Sequence, residues 1–206
     1  MTLCVIFPTN PLNPQQVDPD YAAEQQAAAQ YFDTAVIDFD ALVQQGQVHF
    51  SGLPAYLSTV LYRGWMLRPE QYPLLSQAVA SRGGQLLTDT KAYLAAHLLP
   101  SWAEHPHTPK ARWNTDLRDD ALKELLNQFT GPVTVKDFVK SRKNEWDSAF
   151  YIPSAQVQTA ALEVIHNFIE RQGDLLVGGV VLREFVPFKS IGYFHDEPTY
   201  EEYRVF

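Results

Sequence analysis

The chain has 206 residues, 46% of them hydrophobic and 13% aromatic, enough for one large domain or two small lobes, which excludes global disorder. Its 16 Lys and Arg against 24 Asp and Glu give a formal net charge of −8, which argues against nucleic-acid binding through a basic surface. A single cysteine, Cys4, excludes an intrachain disulfide, and the absence of a basic leader or an apolar run of roughly 20 residues reads as a cytoplasmic protein without a membrane span.

Residues 3–7 predict a short buried strand, with Cys4 in it as a small hydrophobe. Pro8, Pro11 and Pro14 then predict a loop. The Ala- and Gln-rich run 21–32 predicts a helix, with Asp20 placed to cap it. Residues 34–39 predict a second strand, followed by a short helix or turn through Val43. Residues 56–62 predict a third strand, ending at Arg63-Gly64-Trp65. Residues 69–82 predict a helix opened by Pro69 and closed by Gly83-Gly84, and 85–87 a short strand. This alternation predicts a parallel sheet with covering helices.

A further helix is predicted over 89–97. Three prolines between 99 and 109 read as a linker, dividing the chain into 1–98 and 99–206. Beyond it, 110–113 predict a strand. Residues 118–129 predict a helix with Leu122, Leu125, Leu126 and Phe129 on its apolar face. Residues 132–138 predict a strand, and 157–171 a helix burying Ala161, Leu162, Ile165, Phe168 and Ile169. Residues 174–187 form a long strand region, and 203–206 open another. That last pattern has no turn or cap, so a complete domain is expected to continue past it.

Three clusters are candidates for chemistry. Lys136 sits on a predicted strand with Lys140, Ser141, Arg142 and Lys143 in the following loop. Ammonium groups on a rigid support suit a polyphosphate, and a solvated basic loop is the other reading. The segment Arg183-Glu184-Phe185-Val186-Pro187 offers backbone groups flanked by apolar side chains, which suits a nucleobase; a half-buried edge strand is the alternative. In Glu201-Glu202-Tyr203-Arg204, Arg204 is placed to meet phosphate or to pair with an acid. Arg63-Gly64-Trp65 ends a predicted strand, where open α/β sheets take ligands, although a Trp-stabilised turn explains it equally. His105 and His107 lack the spacing of a metal pair. No Gly-rich phosphate loop ending in Gly-Lys-Ser/Thr is present.

The order of Tyr62-Arg63-Gly64-Trp65, Asp89-Thr90-Lys91, Val133-Thr134-Val135-Lys136-Asp137-Phe138, Leu182-Arg183-Glu184-Phe185-Val186 and Glu202-Tyr203-Arg204 resembles the ATP-grasp family, in the group with an arginine and two lysines. The resemblance implies an α/β chain with a Rossmann-like leading domain (1–98) and an incomplete ATP-grasp α+β domain (99–206). It implies Lys136 and Arg204 as catalytic residues. Lys136 is implied on the ATP phosphates with Lys140 or Lys143, and Glu184, Phe185 and Val186 beside adenine and ribose. The implied activity is that of an ATP-dependent carboxylate–amine ligase acting through an acyl phosphate, or a truncated relative. A non-catalytic nucleotide-binding or structural fragment is the alternative. ATP and Mg²⁺ are the implied cofactors, with the metal's carboxylates expected beyond Phe206. The implied partners are a nucleotide and a small carboxylate or peptide, with no nucleic acid, no membrane and a possible homodimer.

Overall fold

The apolar run at the start of the chain forms strand β1 (Leu3–Asn10) at the centre of a sheet. The structure, a computed structural model, describes residues 3–194 and 197–201. It divides into two units, Met1–His97 and Leu98–Phe206.

In the first unit β1 is followed by β2 (Asn13–Val17), α1 (Ala22–Ala28), β3 (Asp33–Ile37), β4 (Phe50–Ser51), β5 (Thr59–Tyr62), α2 (Gln71–Ala80), β6 (Gln85–Leu86) and α3 (Thr90–His97). The strand order is β4-β3-β1-β5-β6. β3 and β5 flank β1 in parallel and β6 adds in parallel to β5, giving the sheet that the alternation predicts. β1 is apolar throughout because both its faces are covered. Cys4 and Ile6 pack with Leu75 and Val79 of α2, while Val5 and Phe7 pack with Tyr21 and Ala28. Burial first, and then the nearby Asp33, push the Cys4 thiol up to about 11, which makes it an inert core group.

The expected loop after Phe7 is instead the end of β1 and its antiparallel partner β2. Pro8 is tolerated because the strand needs only its carbonyl there, which accepts from Asp18 N at 2.9 Å. Asp18, not Asp20, caps the next turn, its side chain accepting from Asp20 N at 2.9 Å.

The second unit contains β7 (Ala111–Asn114), α4 (Asp119–Leu126), β8 (Val133–Lys136), α5 (Trp146–Ala149), β9 (Tyr151–Ile152), α6 (Gln158–Gln172), β10 (Val180–Glu184), β11 (Ser190–Phe194) and β12 (Glu197–Tyr200). The antiparallel sheet runs β7-β10-β8-β9, and β11 pairs with β12 in a separate hairpin. Leu122, Leu125 and Leu126 of α4 and Ile165 and Phe168 of α6 bury one sheet face, on Val133, Val135, Val180 and Leu182. The 99–109 segment is not a linker. Its prolines stop regular structure, yet Leu99 and Ala103 pack on Ala111 and Val181, and Leu99 N donates to Phe138 O at 2.8 Å.

Two adjacent glycines let the chain enter β10. Gly178 has φ 75°, and a Cβ there would run into the Phe138 ring. Gly178→Ala is therefore expected to cost about 2 kcal/mol or more, read as a lower urea midpoint. An unchanged midpoint would mean that Phe138 is free to move aside.

Candidate functional site

β8 and β10 lie side by side with Thr134 opposite Arg183 and Lys136 opposite Val181. Side chains alternate along a strand, so Thr134, Lys136, Val181 and Arg183 share the face away from α4 and α6. Arg183 is half-buried, its guanidinium carbon 5.8 Å from the centre of the Trp102 ring, and burial lowers its pKa.

A cleft of about 570 Å³ opens on this face where β10 ends. Thr134 and Arg183 lie along it, together with Lys143 and the segment from Glu184 to Phe188. Trp146 and Phe150 also line it. Trp146 stands 5.2 Å from Phe150 and 5.8 Å from Phe185, and Tyr151 is 5.0 Å from Phe185. One side of the cleft is thus a braced set of rings, and two of its lining residues are cations.

The turn after β8 is built around Asp137, whose side chain is fully buried. It accepts hydrogen bonds from Val139 N (2.6 Å), Lys140 N, Gln172 Nε2 (3.0 Å) and Val177 N (3.2 Å). The turn brings Ser141 back opposite Lys136. Lys136 Nζ donates to Val139 O at 3.0 Å. Burial is the main force that pushes the Lys136 ammonium down to about 8; Asp137 opposes the shift and Arg183 adds to it. The next turn is held by Glu145, which receives both Arg142 and Arg171.

Of the residues singled out in the sequence, Lys143, Glu184, Phe185 and Val186 line the cleft. Lys136 lies one pleat repeat beyond Thr134 on the same face, close enough to Arg183 to feel its charge. Lys140 is exposed on the Asp137 turn and is not among the cleft-lining residues. Arg204, with Glu202 and Tyr203, lies outside the described residues. Thr134, Trp146 and Phe150 are additions that the sequence did not single out, and Arg183 gains a place at the cleft. The one available signal was a tryptophan directly after a basic loop.

Residues 121–206 match the model for an ATP-grasp domain of the clade defined by one arginine and two lysines, family 3. This segment belongs to the ATP-grasp family. It takes in β8, β10 and the cleft between their ends and Trp146, but covers less than half of the chain. Solved structures of ATP-grasp proteins share the fold over nearly the whole chain. A RimK domain protein ATP-grasp from Sphaerobacter thermophilus DSM 20745 is 14% identical with TM-score 0.52, over 92% of this chain and 66% of that one. D-alanyl-alanine synthetase A from Vibrio cholerae O1 biovar eltor str. N16961 is 12% identical with TM-score 0.53, over 97% and 66%. D-cycloserine synthetase DcsG is 14% identical with TM-score 0.51, over 90% and 60%. The chain thus spans 60–66% of the length of these structures. No curated protein matches it in sequence.

Proposed function

We propose that the cleft is the nucleotide site of an ATP-dependent carboxylate–amine ligase, or of a relative that keeps the site, with 1–98 as its Rossmann-like leading domain and 99–206 as part of its ATP-grasp domain. The observation that carries the reading is the meeting of an aromatic wall with Arg183 and Lys143 in one cleft of an ATP-grasp segment. Phe185 and Trp146 offer ring faces to a base. The β10 ladder reaches Phe185, whose N–H donates to Pro132 O at 3.0 Å, so Val186 N–H is the first backbone donor past it for a base edge. Lys143, Arg183 and Lys136 carry the charge that phosphates require. In the ligase reading, a carboxylate oxygen attacks the γ-phosphorus and ADP leaves. An amine then attacks the acyl carbon and phosphate leaves. Arg204 keeps its proposed part at the phosphates, and Lys140 its part in the loop.

Mg²⁺ is the metal that this reading calls for, to neutralise charge on the phosphate oxygens. Among the described residues no three His, Cys, Asp or Glu side chains are grouped to hold a metal ion, and Glu184 is the one carboxylate among the described lining residues. The described residues therefore do not fit a Mg²⁺ site by themselves.

The test is calorimetric titration of the chain with ADP and ATP. Both nucleotides are expected to bind, and Phe185→Ala to weaken ADP about tenfold through loss of about 1–1.5 kcal/mol of stacking. No heat with either nucleotide, or the same affinity in Phe185→Ala, would remove this cleft from consideration.

A further inference from the structure

The first unit carries a second arrangement, which the nucleotide reading does not use. From β1 the chain proceeds to β3 on one side, and from β5 to β6 on the other. The two connections diverge at the adjacent carboxyl ends of β1 and β5. In open α/β sheets such a divergence leaves the crevice where ligands bind.

Arg63 stands at that crevice, directly after β5, its backbone N–H tied to Ile6 O of β1 at 2.9 Å. Its guanidinium is held from several sides. Nε donates to Glu24 Oε1 at 2.5 Å, and the carbon lies 5.7 Å from the centre of the Tyr21 ring. Trp65 meets Tyr21 edge to face at 5.2 Å, and Trp65 Nε1 donates to Asp18 Oδ2 at 3.0 Å. Tyr62 Oη locks the same turn through Trp65 O at 2.8 Å. A Cβ on Gly64 would come within 2.6 Å of that hydroxyl, so the loop is fitted to its place. Such bracing leaves a prepositioned fork. The two terminal nitrogens of Arg63 have no partner among the described residues, and its side chain is 51% exposed. A planar fork of this kind matches a carboxylate.

The surroundings decide the ligand class. Asp18, Glu24 and Asp20 all lie near enough to the Tyr21 hydroxyl to raise its pKa, while Arg63 acts to lower it; burial is the largest contribution and the net direction is up. Asp20 is exposed, and its carboxylate has no hydrogen-bond or ion-pair partner among the described residues. A simple anion would gain Arg63 and suffer three carboxylates. A molecule with both an anionic and a cationic group would be matched on both sides. We infer that the β1–β5 crevice is a binding site for a small zwitterion of the α-amino-acid kind, with its carboxylate on Arg63, its ammonium facing Asp20, and its remainder against the Tyr21 and Trp65 rings. Every residue it uses lies in the first unit, whereas the nucleotide cleft is built from the second.

Trp65 supplies the reporter, because its indole N–H gives a separate resonance in a ¹H–¹⁵N spectrum. The full chain, ¹⁵N-labelled, is titrated with each of the twenty standard amino acids, and with acetate and methylammonium. At least one amino acid is expected to shift the Trp65 indole signal saturably, with acetate and methylammonium at least tenfold weaker. Arg63→Met is expected to raise the Kd of that amino acid at least tenfold, with Arg63→Lys in between. Asp20→Asn is expected to weaken the amino acid but not acetate. Thermal melting confirms that each variant is folded. The proposal is overturned by no saturable shift with any amino acid, by acetate binding as well as the amino acid, or by a Kd that Arg63→Met leaves unchanged. ADP titration of the Arg63→Met protein keeps the two sites distinct: its heat reports on the nucleotide cleft alone.

Discussion

Replacing Asp137 with alanine is expected to destabilise the second unit by about 3–5 kcal/mol. The carboxylate is fully buried and takes four hydrogen bonds, three from backbone N–H groups and one from Gln172. Each buried donor left without an acceptor costs about 1–3 kcal/mol, less where water reaches it, as beside the exposed Lys140. For a unit of this size such a loss lowers the melting temperature by more than about 10 °C. Asp137→Asn keeps the shape but turns an amide N–H towards some of these donors, so it should fall between. Trp102, Trp113 and Trp146 lie in this unit and report its unfolding by fluorescence. A loss below about 1 kcal/mol would show that the turn is held by something else.

The second large effect separates binding from folding. Lys136→Met is expected to weaken ATP by about 1.5–3 kcal/mol, or on the order of 10- to 100-fold, while leaving stability at pH 7 unchanged or raised. The Lys136 ammonium is held down to about 8 in the fold, against an ordinary value of 10.5. Below pH 8 the lysine is charged in both states, and the cost of burying the charge is fully present. Between about 8 and 10.5 the unfolded chain binds the extra proton, so wild-type stability rises with pH across that window. Methionine removes the burial cost and also the bond to Val139 O, and these two changes oppose each other. Phosphate beside Lys136 favours its charged form, so binding above pH 8 takes up a proton. Affinity should then fall by up to about tenfold per pH unit. A flat affinity from pH 7 to 9, with equal Kd in wild type and variant, would remove Lys136 from the phosphate site.

The parallel sheet was legible because β1 needs apolar residues on both faces and the runs around it alternate with helices. The β1–β2 hairpin was not, because Pro8 reads as a breaker unless the strand is known to need only its carbonyl. Pro187 and the apolar residues before it marked the end of β10, so Glu184, Phe185 and Val186 could be picked out. The alternation of β8 gave the face of Lys136. It could not give the path of the amine, which depends on Asp137 folding the next turn back. The aromatic wall was hidden for a different reason. α5 has four residues, too few for a periodic signal, and Trp146 meets Phe185 only through tertiary packing across nearly forty positions.

The strand orders of the two units set opposite schedules for synthesis. In the first unit the central strand β1 leaves the ribosome first, and β3 and β5 have a template waiting when they emerge. In the second unit β7 and β8 are not neighbours; each needs β10, which is made after both. Until residue 184 clears the exit tunnel, Ala111–Asn114 and Val133–Lys136 have bare edges facing the strand still to come, and that is the interval in which a nascent chain depends most on chaperones.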